Sequence, residues 1–115
     1  MKVNDDLLIL LKSSGVGDVE PDLAAKLMNS FLNELLKTGS LPAKIICMGT
    51  GIFLTTDGSP VHEILDKFTQ NGTEILSCGT CLEYYERTDK LVIGNATNME
   101  QTVKDMLSYG KILAP

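Results

Sequence analysis

Leu7-Leu8-Ile9-Leu10-Leu11 is an unbroken apolar block, closed by Lys12-Ser13-Ser14-Gly15. A strand with one wet face alternates apolar and polar residues, so a block without alternation needs cover on both faces, the condition of a strand inside a parallel sheet. Ala43-Lys44-Ile45-Ile46-Cys47-Met48 repeats the pattern between Pro42 and Gly49-Thr50-Gly51. Thr73 to Ser77, containing Ile75-Leu76, repeats it again; Leu91-Val92-Ile93-Gly94 is a fourth apolar block, and Lys111-Ile112-Leu113 is a candidate last strand.

Between these blocks the apolar period lengthens to that of helices. Pro21 suits a first helical position, Glu20 and Asp22 favour the positive end of the helix dipole, and Leu23, Leu27, Met28, Phe31 and Leu35 follow at helical spacing up to Gly39. Ser59-Pro60 marks a second start, with Val61, Ile64, Leu65 and Phe68 on one face and Gly72 as the stop. Asn98 with Gln101 has the spacing of a capping box, and Met99, Val103, Met106 and Leu107 recur as an apolar stripe ended by Gly110. Strand and helix in alternation predict an α/β fold: a mostly parallel sheet with helices on both faces and right-handed crossovers. Residues 1–115 have the length of one domain, and 43% hydrophobic residues are enough for one core.

Charge and composition exclude several partners. A net charge of -5 does not describe a surface that gathers phosphate backbones, so nucleic acid is not expected. Leu7 to Leu11 is far shorter than the about 20 residues of a membrane helix, and no cleavage pattern of small residues follows it. The chain therefore reads as soluble and cytoplasmic, with no membrane partner. Its 3 cysteines are an odd count, which speaks against a closed disulfide framework and for a reducing compartment.

The reactive motif is Cys78-Gly79-Thr80-Cys81, directly after the third strand block. Only a thiolate attacks disulfides, persulfides and electrophiles, so a working cysteine needs surroundings that lower its pKa from about 8.5. If Thr80 or Cys81 opens a short helix, backbone N–H groups favour charge on Cys78, and Gly79 permits close backbone approach. Cys81 is then placed to resolve an adduct by forming an internal disulfide. In open α/β sheets such groups lie beyond the carboxyl ends of the strands, where the loops Ser13 to Asp18, Gly49 to Gly51 and Cys78 to Cys81 are expected to share one edge.

Other residues have plainer explanations. Cys47, inside a strand block, reads as a small buried hydrophobe. Cys47, Cys78, Cys81 and His62 add up to four possible zinc ligands, but only one close pair exists where a structural zinc site draws on two; no metal and no cofactor are expected. His62, the single histidine, falls near a helix start and reads as capping or solvent-facing. Gly49-Thr50-Gly51 lacks the lysine of a P-loop and the glycine spacing of a dinucleotide turn, so it reads as a turn whose edge position leaves room for substrate contact. Gly79, Thr80 and Tyr84 are the further candidate substrate contacts, with Tyr84 and Tyr85 as a pocket wall. A thioredoxin-like motif has the same cysteine spacing, but Thr80 stands where that motif usually has proline.

The stretch Thr73-Glu74-Ile75-Leu76-Ser77-Cys78-Gly79-Thr80-Cys81-Leu82-Glu83-Tyr84-Tyr85, with Leu54-Thr55-Thr56-Asp57-Gly58-Ser59 before it and Asn95-Ala96-Thr97-Asn98-Met99 after it, resembles the YedF-type C-terminal domain of the DsrE/DsrF-like superfamily. The likeness runs from Asp6 to Pro115. It implies a three-layer α/β/α sandwich with about five strands, assembled as a homotrimer or hexamer, and a sulfurtransferase-like or persulfide-carrier role in sulfur relay or selenium metabolism. It also implies that Cys78 carries persulfide sulfur, with Cys81 matching the second thiol of the YedF motif. YedF proteins carry a preceding TusA-like domain with a Cys-Pro motif; this sequence shows neither, so the resemblance implies either a TusA-like carrier acting in trans or a sequence shortened ahead of this domain. Gly49-Thr50-Gly51-Ile52-Phe53 also departs from the Asn-Gly-Gly loop and following basic residue of the family.

Overall fold

The computed structural model describes residues 2–115. Five strands, β1 (Lys2–Leu11), β2 (Ser40–Cys47), β3 (Glu74–Cys78), β4 (Asn95–Thr97) and β5 (Lys111–Leu113), form one sheet in the order β4-β3-β2-β1-β5. All four pairings are parallel. Helices α1 (Pro21–Thr38), α2 (His62–Gln70), α3 (Gly79–Tyr84) and α4 (Met99–Ser108) alternate with them, and the arrangement is that of a three-layer α/β/α sandwich.

The chain steps outward from β1 to β4 and then returns to place β5 on the far side of β1. Right-handed crossovers in opposite directions put their helices on opposite faces. Leu7, Ile9, Leu11, Ile45 and Cys47 accordingly pack on Met28 and Leu32 of α1 and Leu65 and Phe68 of α2, while Leu8, Leu10, Ile46 and Leu76 form a smaller cluster on the other face. Burial on both faces is the reason the strand blocks show no alternation.

Local signals act as expected at several ends. Gly39 takes a left-handed φ of 74° and its N–H donates to the Leu36 carbonyl, which closes α1. Asn98 caps α4 by accepting from the Gln101 N–H at 2.8 Å.

Other elements depart from the sequence-based expectations. β1 extends back to Lys2, because residues 2–4 pair with Ser40–Pro42 before the register slips between Asn4 and Leu8. Pro42, which offers no N–H, sits beside the slip, and its carbonyl accepts from Thr73 Oγ1 at 2.8 Å. α2 begins at His62, since Ser59 Oγ accepts from the Val61 N–H and holds Ser59-Pro60 in a turn ahead of the helix. The fourth strand is the polar Asn95–Thr97, not the apolar block before it. Leu91 bridges Thr56, Val92 and Ile93 donate to the Thr55 carbonyl, and Gly94 turns with a φ of 71° against the Ile75 carbonyl, so the block folds over the core and an edge strand of little apolar content follows.

The largest departure is the orientation of α4. Thr102 and Asp105 face inward and are buried, whereas Met99, Val103, Met106 and Leu107 are exposed, Leu107 at 83%. Lys44 on β2 decides this. It shares the second face with Ile46, and its Nζ lies 3.0 Å from Asp105 Oδ2 and 3.5 Å from Glu74 Oε1. Gln101 Nε2 donates to the other Asp105 oxygen at 3.1 Å. A buried ammonium without a carboxylate is more costly than an exposed methionine stripe, so the ion pair sets the helix rotation. In the same way Leu23 and Leu27 of α1 are exposed, and Ala24, Met28 and Leu32 are the residues that face the sheet.

Candidate functional site

β3 ends at Cys78 and α3 begins at the next residue, so the polypeptide changes from extended to helical at the first thiol. Cys78 is 5% exposed, whereas Cys81, in the first turn of α3, is half-buried. Both are free thiols, and Cys78 lies close enough to Cys81 to act on its ionisation. Burial pushes the Cys81 thiol up, the neighbouring Cys78 pushes the same way, and the Gly49 N–H opposes them.

That N–H donates to Cys81 Sγ at 3.1 Å. Gly49 opens a 3₁₀ helix, Gly49–Leu54, rather than a simple turn. Its φ is 58°, and a Cβ at this position would stand 2.8 Å from the Lys12 carbonyl oxygen at the end of β1. A Cβ on Gly51 would overlap the Leu11 carbonyl. Both glycines are therefore required by close backbone approach, and together they press the loop after β2 against the end of β1. The Gly51 N–H donates to Met48 O at 2.9 Å, and Thr50 Oγ1 accepts from the Ser14 N–H at 3.2 Å. The three loops expected at one edge do meet there. Gly49 and Gly51 spend their N–H groups within the protein, one of them on sulfur.

Behind Cys78, Ser77 Oγ and Thr55 Oγ1 lie 2.6 Å apart in a buried hydroxyl pair. Thr55 donates to Ile52 O, so Ser77 supplies the proton of the shared bond and fastens β3 to the 3₁₀ helix. Gly79 lets α3 start beside β4, since a Cβ would lie 3.1 Å from Thr97 O. Thr80 is exposed.

Tyr84 is 80% exposed and meets Tyr85 edge-on at 5.0 Å between ring centroids. Tyr85 packs on Phe53 at 5.0 Å, and the Arg87 guanidinium lies 4.5 Å above the Phe53 ring. Arg87 Nη1 also donates to Thr56 Oγ1 at 3.1 Å and Asp57 O at 2.9 Å. Sequence reasoning missed Phe53 and Arg87, because no local period joins residues so far apart in the chain.

Cys47 is fully buried on the α1 and α2 face, and burial pushes its pKa up to about 12. His62 is exposed on α2 and lines an open polar groove of about 390 Å³ with Asn29, Asn33 and Lys67, apart from the thiol loops. Among the described residues no group of three or more His, Cys, Asp or Glu side chains is arranged to hold a metal ion. Among them, too, no helix is long and apolar enough to cross a membrane.

No protein-family model matches the sequence, and no curated protein matches it. Solved structures do match over nearly the whole chain. The ychN protein of E. coli is 14% identical with a TM-score of 0.67, covering 96% of this chain and 99% of its own. MTH1491 of Methanobacterium thermoautotrophicum, a protein of unknown function, is 11% identical with a TM-score of 0.72, covering 97% and 100%. BT1422 of Bacteroides thetaiotaomicron, a conserved protein of unknown function, is 21% identical with a TM-score of 0.64, covering 96% and 95%. Likeness at these identities extends to architecture and not to activity. What the chain shares with these proteins is the fold known as DsrE/YchN-like.

Proposed function

We propose that the chain accepts and passes sulfane sulfur, or selenium, through the Cys78–Cys81 pair, as a persulfide carrier or sulfurtransferase of the YedF type. The observation that carries this reading is the placement of two free, adjacent thiols at the carboxyl end of a parallel sheet, one of them half-buried and receiving a fixed backbone N–H. A persulfide donor R–S–SH loses its outer sulfur to a cysteine thiolate: the donor S–S bond breaks, R–S⁻ leaves, and a cysteine persulfide forms. Thr80, between the two thiols in sequence, is exposed, and Tyr84 ends the same short helix. No residue of the pair needs a metal or cofactor for this step.

The test is to incubate the purified chain with a low-molecular-weight persulfide and measure intact mass. One added sulfur on the wild type, absent from the Cys78→Ser/Cys81→Ser double variant, supports the proposal; no uptake by the wild type overturns it. Reduction of insulin disulfides without sulfur uptake would instead make the pair a dithiol redox site.

Homo-oligomeric assembly, as trimer or hexamer, is the second proposal, and α4 favours it. A helix that turns Met99, Val103, Met106 and Leu107 outward leaves an apolar stripe that a second copy would cover. A non-catalytic interaction module would use the same stripe. A TusA-like carrier in trans is the proposed sulfur partner, tested by whether a persulfidated carrier of that type loses its sulfur to this chain.

A further inference from the structure

Resting on the proposal that the pair handles sulfur, we infer that Cys81 is the thiol that takes the sulfur from the donor, and that Cys78, the more buried of the two, discharges it. This reverses the order that the family resemblance implies.

Access separates the two sulfurs. Cys78 is the last residue of β3, paired with Thr97 of β4, and is 5% exposed. The attacking sulfur must meet the donor S–S bond along its own axis, and a residue 5% exposed leaves little room for that approach. Cys81 lies in the first turn of α3 and is half-buried.

A backbone donor at Cys81 separates them too. The Gly49 N–H, 3.1 Å from Cys81 Sγ, is held by backbone contacts to the ends of β1 and β2, so it is in place before the thiolate forms.

The sequence of steps then balances as follows. The Cys81 thiolate attacks the outer sulfur of an alkyl persulfide, the donor S–S bond breaks, and an alkyl thiolate leaves. Cys81 now carries –S–SH. Cys78, as thiolate, attacks Sγ of Cys81; the bond from Sγ to the outer sulfur breaks and hydrosulfide departs, taking up the proton that Cys78 gave away. The two thiols have supplied two electrons: the sulfane sulfur is reduced to sulfide and a Cys78–Cys81 disulfide remains. An external dithiol reductant restores the pair. An acceptor that reaches Cys81 before Cys78 attacks receives the sulfur instead, so the buried thiol sets how long the cargo is held.

The experiment loads the full chain with glutathione persulfide and follows intact mass and released sulfide in time. On the wild type the expected course is a transient gain of one sulfur, then a species two hydrogens lighter than the starting protein with one equivalent of sulfide. Cys78→Ser is expected to load and then stall, holding its sulfur and releasing no sulfide. Cys81→Ser is expected to lose at least about tenfold in uptake rate, because the thiol that remains is the buried one. Uptake by Cys81→Ser at the wild-type rate, equal uptake by both variants, or loss of uptake in both while the wild type loads, would overturn the order and leave the proposed function standing; no uptake by any form would remove both. Alkylation of the unmutated protein with iodoacetamide, mapped by peptide mass, gives the same ranking without a variant. There Cys81 is expected to react at least about tenfold faster than Cys78, and equal or reversed rates overturn the order.

Discussion

The Gly49 N–H and the Cys81 sulfur, 32 residues apart in the chain, form a 3.1 Å hydrogen bond at the carboxyl edge of the sheet. A glycine that sequence pattern marks only as a turn thus has a chemical task. Its φ of 58° and the Lys12 carbonyl 2.8 Å from a would-be Cβ fix the direction of the donor.

Gly49→Ala should therefore disturb both stability and thiol chemistry. A left-handed φ combined with a backbone clash costs about 1–3 kcal/mol. Displacement of the N–H by the clash raises the Cys81 pKa further, since burial and Cys78 already push it up. The pH at which Cys81 alkylation reaches half its maximal rate should move upward, and an unchanged profile in a folded variant would refute the role of this bond.

Lys44 and Asp105 make a second prediction. Their side chains are 13% and 8% exposed, so Asp105→Ala leaves the ammonium only the more exposed Glu74 at 3.5 Å and should cost up to about 3–5 kcal/mol in urea denaturation. Replacing both residues, as Lys44→Met with Asp105→Leu, should recover most of that loss. Burial pulls the Lys44 pKa down, but the hydrogen bond and charge of Asp105, with Tyr109 and Glu74 adding to them, carry it above its ordinary value of 10.5. A group raised in the folded state stabilises fully below its unfolded pKa, and the contribution is lost as pH rises through the folded value. The wild type should lose stability above about pH 10.5 more steeply than the double variant, which equilibrium unfolding at several alkaline pH values can measure.

Glu86 is the single described non-glycine residue with positive φ, at 56°, and it closes α3 where Arg87 N–H reaches back to Leu82 O at 2.7 Å. Helix ends of this form favour glycine, because a side chain in the left-handed region is strained. Glu86→Gly should stabilise the protein by about 0.5–1 kcal/mol, read as a rise in the urea midpoint at constant slope. A fall in the midpoint would mean that Glu86 makes a compensating interaction.

Cys47 should be silent towards reagents. Full burial and a pKa pushed up to about 12 leave it neither reachable nor ionised at neutral pH, so iodoacetamide should modify it only after denaturation. Labelling of Cys47 in the folded protein would contradict the packing of β2.

The outward stripe of α4 gives the test of assembly. Leu107 is 83% exposed and touches no core, so Leu107→Asp should leave monomer stability within about 0.5 kcal/mol while lowering the mass seen by light scattering. An unchanged mass, or a wild type already monomeric at high concentration, would count against this face as the interface.

Much of the architecture could be read from local pattern. The apolar blocks at Leu7–Leu11, Ile45–Cys47 and Ile75–Leu76, the stop at Gly39 and the cap at Asn98 depend on residues near in sequence, and a strand buried on both faces has no polar positions to disguise it. The alternation of strand and helix then restricts the fold to a parallel sheet covered on both sides. The Cys78–Cys81 motif was legible for the same reason: a spacing of three across a strand-to-helix junction is a local fact.

Tertiary structure alone decided the rest. Periodicity finds the apolar stripe of α4 but cannot tell that Lys44, more than fifty residues earlier, needs Asp105 and turns that stripe outward. Nor can it tell that Leu91–Ile93 folds over the core while polar Asn95–Thr97 takes the edge of the sheet. The difference between the two thiols is of this kind as well. Sequence places both at the end of β3, but the burial of Cys78 and the Gly49 N–H that reaches Cys81 from the loop after β2 come from tertiary packing.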